Sequence, residues 1–225
     1  MTGPDRFMEA VSGPHAGQPL VTAGAPALAA DAAFIVCHGR GATAQGVINL
    51  MKPVTRHGVA VLAPQAERSR WYPRRASTPR AANEPWLSSS VDCVGAALEA
   101  VRAIDVPPER TVIGGFSQGA CVAAEFVRRR PARYGGLAVL SGTLPGTDDE
   151  LKATAIDGSL EGLPVLVSYG EADPHVDRER IDSTCRVFDR AGASVDERCD
   201  PDAGHEVTDD GFDGVDAMLA AVIDS

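Results

Sequence analysis

A glycine-flanked serine lies between a short apolar run and a helical pattern. The run covers 111–114, the pentapeptide Gly-Phe-Ser-Gln-Gly covers 115–119, and small and apolar residues continue over 120–127. Small residues two positions on either side of a serine let a strand and a helix pass closely, and the sharp turn gives the serine strained backbone angles. The sequence therefore predicts a nucleophile elbow, with Ser117 as the candidate nucleophile.

Strand-like and helix-like segments alternate from about residue 32 to the end of the chain. Strand-like segments lie at 19–22, 32–37, 59–63, 111–114, 136–140, 165–169 and 194–198, and helical patterns lie at 44–56, 88–104, 120–127, 177–191 and 209–223. This alternation is typical of an α/β fold with a mostly parallel central sheet and helices on both faces. We expect one domain over 1–225, without a separate cap domain and with 1–17 poorly ordered.

The charge of the chain argues against several kinds of partner. Acidic residues outnumber basic ones by 31 to 21, and the net charge of −10 disfavours binding to nucleic-acid phosphates and to anionic membrane surfaces. Apolar stretches are shorter than the roughly 20 residues of a membrane helix, and residues 1–18 lack the order of a signal peptide. We expect a cytoplasmic monomer or homodimer that binds neither nucleic acid nor membranes stably.

The cysteines indicate buried, reduced thiols. They lie at positions 37, 93, 121, 185 and 199, which is an odd number without a Cys-x-x-Cys pair. Their spacing is also unlike that of a metal site. We therefore expect an activity that uses neither a metal nor a cofactor.

Two loops further along the chain carry side chains that can activate a serine. A hydroxyl needs a base to take its proton and a third group to orient that base. Asp173 and His205 each follow a predicted strand, at the sheet edge where catalytic side chains collect. Taken singly, each has an ordinary alternative as a helix cap, a turn residue or a solvated side chain. The order Ser117, Asp173, His205 predicts a catalytic triad, with Asp177 and Asp182 as alternative acids.

Backbone amides are the expected donors to a developing oxyanion. One is the N–H of Gln118, which follows the nucleophile at a helix amino terminus. The other is the N–H of Arg40, within the sequence His-Gly-Arg-Gly at 38–41. An ordinary glycine turn is the alternative for this second segment.

An irregular segment rich in arginine and proline covers 65–85, and long loops of this kind often carry function. Its aromatic residues can form a pocket wall or can anchor the loop in the core. Arg70, Arg74 and Arg75 can pair with the surplus carboxylates or attract an anionic substrate group. The predicted substrate pocket consists of His38, Gly39, Trp71, Tyr72 and His175, with His38 as an anchor of its loop and His175 at the cleft mouth.

These motifs resemble those of the phospholipase/carboxylesterase family of α/β-hydrolases, which includes small bacterial carboxylesterases and acyl-protein thioesterases. The likeness covers nearly all of the chain after about residue 30, and its motifs lie at 38–41, 63–65, 71–73, 115–119, 170–174 and 204–206. It implies Ser117, Asp173 and His205 as the triad and the amides of Arg40 and Gln118 as the oxyanion hole. The chain departs from the family at position 40, where many members carry an apolar residue.

The predicted activity is hydrolysis of esters of small or medium acyl or aryl groups through an acyl-serine intermediate. An acyl-thioesterase or a lysophospholipase is the alternative. A ligand-binding protein that keeps the fold without catalysis is a rival from another class, against which the intact triad residues argue. A peptidase of this fold would normally carry an added domain.

Overall fold

Seven strands join into one sheet in the computed structural model, which describes residues 5–224. They are β1 (Leu20–Gly24), β2 (Ala32–Cys37), β3 (Val59–Pro64), β4 (Thr111–Phe116), β5 (Gly136–Leu140), β6 (Pro164–Gly170) and β7 (Ser194–Asp200). Their order across the sheet is β1-β3-β2-β4-β5-β6-β7. The pair β1 and β3 is antiparallel and every other neighbouring pair is parallel, which confirms the predicted mostly parallel sheet.

Helices cover both faces of this sheet. They are α1 (Asp5–Met8), α2 (Ala44–Leu50), α3 (Trp86–Arg102), α4 (Gln118–Arg129), α5 (Asp148–Ala153), α6 (Arg178–Arg190) and α7 (Asp209–Ile223). The central strand β2 explains the arrangement, because its alternate side chains face opposite sides. Ile35 and Cys37 join the core under α3, α4 and α6, whereas Phe34 and Val36 join the core under α2 and α7. A strand buried on both faces needs apolar residues at every position.

Two elements differ from the sequence prediction for local reasons. The helix predicted over 44–56 ends at Leu50 and continues as a 3₁₀ turn at 52–54, because Pro53 has no backbone N–H and its ring excludes a regular helix interior. Helix α5 was not predicted. Its amino terminus is a capping box in which Thr147 and Glu150 each bond the other's backbone N–H.

The amino-terminal segment also differs from the prediction of a poorly ordered start. Met8, Val11 and His15 are buried, so this segment contributes side chains to the core. The His15 backbone N–H donates to Ser89 Oγ of α3 at 3.0 Å. Residues 1–4 of the predicted range lie outside the described residues. Across 5–224, no helix combines the length and the apolar character that crossing a membrane requires.

Candidate active site

Ser117 lies at the turn from β4 into α4 with φ 56° and ψ −122°. This positive φ is rare for a residue with a side chain, and the close packing of the two elements holds it there. A Cβ atom on Gly119 would collide with the carbonyl group of Cys37, and one on Gly115 would collide with the backbone of Gly119. The two glycines therefore let α4 approach the ends of β2 and β4 closely enough to form the turn.

The side chains of Ser117, His205 and Asp173 form a continuous chain of hydrogen bonds. His205 Nδ1 lies 2.7 Å from Asp173 Oδ2, and His205 Nε2 lies 2.8 Å from Ser117 Oγ. Because a carboxylate only accepts, the Nδ1–H donates to Asp173 and leaves Nε2 to accept the serine hydroxyl proton. The Asp173 side chain is fully buried, whereas the His205 side chain is 23% exposed. The imidazole is thus partly open to solvent, whereas the carboxylate is shielded from it.

Backbone and hydroxyl groups fix the two loops that carry the acid and the base. The backbone N–H of His175 donates to Asp173 Oδ1 at 2.8 Å, so both carboxylate oxygens have a donor. The hydroxyl of Ser141 donates to the carbonyl of Glu206 at 2.7 Å, next to the histidine. Ser141 itself has φ 49°, and nothing in its local sequence indicated this role.

Two amide groups beside Ser117 have no hydrogen-bond acceptor among residues 5–224. They are the N–H groups of Arg40 and Gln118, whereas the neighbouring Gly41 N–H donates to the carbonyl of Ser69 at 2.7 Å. Gln118 is the first residue of α4, where a backbone N–H has no partner inside the helix. Both free donors lie in the loops where the sequence predicts the oxyanion hole.

A cleft of about 1150 Å³ opens in front of Ser117 and His205. Tyr72 and His175 line it, as predicted for pocket residues. The other three residues of the predicted pocket do not line the cleft. Trp71 and His38 are completely buried. Gly39 packs against the elbow, where a Cβ atom on Gly39 would lie 3.4 Å from the Cβ of Ser117.

His38 acts as an anchor because both ring nitrogens are occupied. The backbone N–H of Ala66 donates to Nε2 at 3.1 Å, so the ring proton is on Nδ1 and donates to the Gly39 carbonyl at 2.8 Å. Burial lowers the pKa of His38, which keeps the ring neutral. The indole N–H of Trp71 donates to the His38 carbonyl at 2.7 Å. Trp71 therefore takes the anchoring alternative rather than the pocket wall.

His15 is a second buried anchor of the arginine-rich loop, defined here as residues 65–85. Its Nδ1 accepts the backbone N–H of Glu67 at 3.0 Å, which places the ring proton on Nε2, 2.9 Å from the carbonyl oxygen of Trp71. Burial lowers the pKa of His15 as well. The sequence suggested no role for this residue, since its partners lie about 50 to 75 positions away in the chain.

Gln118 holds the same loop to the start of α4, and Asn83 fixes it from within. The Gln118 side chain accepts the backbone N–H of Trp71 at 2.9 Å and donates to the Tyr72 carbonyl at 2.8 Å. Buried Asn83 accepts the backbone N–H of Arg74 at 2.9 Å and donates to the Arg75 carbonyl at 3.2 Å. These contacts fix the path of the loop across the mouth of the cleft.

The alternative acids have structural partners instead of the imidazole. Asp177 caps α6 by accepting the backbone N–H of Glu179 at 3.0 Å. Asp182 forms ion pairs with Arg178 and Arg186 on the same helix. Neither carboxylate bonds to His205, so Asp173 is the acid that the geometry favours.

The five cysteines are free thiols, as predicted. Three are buried, and burial raises the pKa of Cys37 to about 12. The prediction of burial is wrong for Cys185 and Cys199, which are only partly buried. Across the described range, no group of three or more histidine, cysteine, aspartate or glutamate side chains lies together in a way that suits a metal ion.

Comparisons with known proteins place this geometry among ester hydrolases. A family model described as phospholipase/carboxylesterase matches residues 20–223. The crystal structure of a phospholipase/carboxylesterase from Dyadobacter fermentans superposes with a TM-score of 0.83 at 32% identity, covering 90% of this chain and 96% of that one. The Bacillus cereus carboxylesterase shares the fold, with a TM-score of 0.73 at 16% identity over 98% of this chain and 100% of that one.

Similarity to curated sequences is more local. Acyl-protein thioesterase 1 of Debaryomyces hansenii is 33% identical over 88 residues, which are 39% of this chain and 37% of that protein. The matches to such relatives span between 30% and 55% of the relatives' own length.

Proposed function

The chain belongs to the phospholipase/carboxylesterase family of α/β-hydrolases, and we propose that it is a serine carboxylesterase for esters of small or medium acyl or aryl groups. One observation carries the proposal: the unbroken hydrogen-bond chain from Ser117 through His205 to Asp173, at the floor of an open cleft. Family membership, predicted from the sequence motifs, is confirmed. The roles of individual residues below are part of the proposal.

The reaction begins with attack of Ser117 Oγ on the ester carbonyl carbon. His205 Nε2 takes the hydroxyl proton, and buried Asp173 stabilises the resulting imidazolium without being protonated itself. The carbonyl oxygen becomes an oxyanion, which the N–H groups of Arg40 and Gln118 are placed to bind. The dipole of α4 adds to this stabilisation at Gln118.

The tetrahedral intermediate then collapses and the alcohol leaves. His205 returns its proton to the departing oxygen, and an acyl ester on Ser117 remains. A water molecule, activated by the same imidazole, attacks the acyl ester and releases the carboxylic acid. The cycle regenerates the hydroxyl on Ser117 and the neutral imidazole.

Acyl-thioester hydrolysis is the second candidate, because the chain resembles acyl-protein thioesterase 1 over 88 residues. The cleft favours the ester activity on shorter groups, since four arginines and two aspartates lie along its walls. A long hydrocarbon chain gains most from a continuous apolar channel.

We further propose that the protein is a cytoplasmic monomer or homodimer and that it binds no nucleic acid. The net charge of −10 supports the absence of nucleic-acid binding.

Purified protein should be tested with p-nitrophenyl acetate, butyrate and palmitate and with an acyl thioester. We expect the two short esters to be the best substrates, and preference for palmitate or for the thioester would overturn this choice.

Ser117→Ala should lower kcat by about 10⁶-fold. Asp173→Asn should lower kcat by up to about 10⁴-fold, because the amide favours the wrong imidazole tautomer.

A fluorophosphonate probe separates the enzyme from a non-catalytic binding protein. The probe should label the unmodified protein and should fail to label Ser117→Ala. Ser183→Ala is a matched control, because the Ser183 hydroxyl only donates to the Glu179 carbonyl of its own helix. Absence of labelling in the unmodified protein, together with no turnover of any activated ester, would favour the binding protein.

A further inference from the structure

The cleft has a local charge opposite to that of the whole protein. The chain carries a net charge of −10, yet the residues that line the cleft include four arginines and only two aspartates. The arginines are at positions 40, 74, 75 and 180, and the aspartates are at positions 148 and 177. An anionic substrate approaching this protein meets repulsion from most of the surface, so a local cationic patch determines whether it can bind.

Both aspartates of the cleft already have partners. Asp148 pairs with Arg180 at 2.6 Å, and Arg180 also donates to the carbonyl oxygens of Leu144 and Gly146. Asp177 accepts a backbone N–H at the start of α6, which satisfies the carboxylate but leaves its negative charge in place. Neither carboxylate is paired with the guanidinium group of Arg74 or Arg75.

Arg74 and Arg75 also line the cleft, and their side chains have no acceptor among the described residues. Many other arginines form ion pairs, as at the buried carboxylate of Glu125, which binds both Arg128 and Arg129. The sequence left open whether the arginines of this loop pair with surplus carboxylates. For Arg74 and Arg75 the structure contains no such pair.

The backbone beneath these two arginines is held rigidly by buried or charged groups. Asn83 bonds the N–H of Arg74 and the carbonyl of Arg75, and it is completely buried. The Arg40 guanidinium donates to the carbonyls of Tyr72, Pro73 and Arg74 at 3.1, 3.2 and 2.8 Å. Carbonyl acceptors leave the positive charge of Arg40 uncompensated, so it adds to the patch.

We propose that Arg74 and Arg75 form an anion-binding subsite of the cleft, and that the preferred substrates are esters carrying a carboxylate away from the scissile bond. This inference rests on the proposed ester hydrolysis. A guanidinium group presents parallel N–H donors that match the two oxygens of a carboxylate. Two such groups on a fixed backbone select a charged ester over a neutral one of similar shape.

The test compares ester pairs that differ in one remote carboxylate. In the acyl pair, the mono-4-nitrophenyl ester of glutaric acid is compared with 4-nitrophenyl pentanoate. In the alcohol pair, the butyrate ester of 4-hydroxybenzoate is compared with 4-methylphenyl butyrate. We expect kcat/KM for the charged ester to exceed that for the neutral ester by about 10-fold in at least one pair, mainly through KM. The preference should fall as ionic strength rises from about 0.05 M to about 0.5 M.

The double variant Arg74→Gln/Arg75→Gln should reduce that ratio to about one. Arg133→Gln removes one charge at an exposed site outside the cleft, with no pair to a carboxylate in the described part of the chain, and it should keep the ratio. Turnover of the neutral ester reports whether each variant is folded.

If the neutral esters are hydrolysed and neither charged ester is preferred, the proposed subsite is overturned, whereas the proposed esterase activity stands. An equal loss of preference in Arg133→Gln would also overturn it, because net charge would then explain the effect. If no ester is hydrolysed at all, the subsite fails together with the proposed function.

Discussion

The nucleophile elbow and the arginine-rich loop meet at the same cleft, but their shapes have different origins. The elbow, residues 115–119, follows from glycines and a serine that are neighbours in the chain. The loop takes its path mainly from partners far away in sequence, His15 and Gln118, together with Asn83 near its own end. Local geometry thus fixes the nucleophile, whereas long-range hydrogen bonds fix the cleft wall.

This contrast separates what the two regions can tolerate. At the elbow, the limiting factor is the space between two backbones, which no side chain can adjust. In the loop, substitutions are limited by the buried polar groups, because each of these groups costs free energy when its hydrogen-bond partner is lost. Substitutions in the two regions should therefore differ in size and in kind.

The largest effect should come from Gly119→Ala. The added methyl group would collide with the Cys37 carbonyl, so α4 must shift and carry Ser117 with it. We expect the free energy of unfolding to fall by about 3 kcal/mol or more, with loss of ester turnover. Gly204→Ala is the matched control, since a Cβ there has no atom within 4 Å, and its stability should change by less than about 1 kcal/mol. Equal stability of the two variants in urea unfolding would contradict this account of the elbow.

A smaller effect is expected for His15→Ala. Loss of the ring removes the acceptor for the Glu67 N–H, a donor to the Trp71 carbonyl, and the edge contacts with Trp71 and Trp86. We expect the free energy of unfolding to fall by about 2 kcal/mol, with reduced turnover from a displaced cleft wall.

His57→Ala serves as the control for that measurement, because His57 is exposed and lies away from the cleft. Its midpoint in urea should match that of the unmodified protein. If both histidine variants unfold at the same urea concentration, the amino-terminal segment does not hold the loop.

The smallest effect is a dependence of stability on pH. Burial lowers the folded-state pKa of His15 and His38 below the ordinary value near 6.5, so the unfolded chain binds more protons than the folded one below that pH. Their contribution to stability is complete above about pH 6.5 and falls as the pH drops. Each histidine should contribute a loss of up to about 1.4 kcal/mol per pH unit.

The His15→Ala variant isolates this contribution, because both proteins share all other titrating groups. Between about pH 6.5 and about pH 5.5, its unfolding free energy should decrease less than that of the unmodified protein, by up to about 1 kcal/mol. Identical pH profiles would show that His15 is not held neutral in the fold.

Several site residues were predictable because their signal is local or ordered along the chain. The elbow, the three loops at the sheet edge and the order Ser117, Asp173, His205 all follow from the sequence, and the structure brings these side chains within hydrogen-bond distance. Pocket residues were predicted less well. Trp71 was assigned to the pocket from its aromatic character, whereas its indole N–H turns inward to the His38 carbonyl.

The sequence alone determined the α/β class, the family and the candidate nucleophile, acid and base, because periodicity, glycine spacing and chain order are properties of neighbouring residues. Only the tertiary structure decided which polar groups are satisfied and which remain free. The side chains of His15 and Asn83 bond to the loop backbone and anchor it, whereas those of Arg74 and Arg75 line the cleft without partners. The physical reason is that a hydrogen bond or an ion pair depends on distance in space, and the chain brings these groups together only when the sheet and its helices have formed.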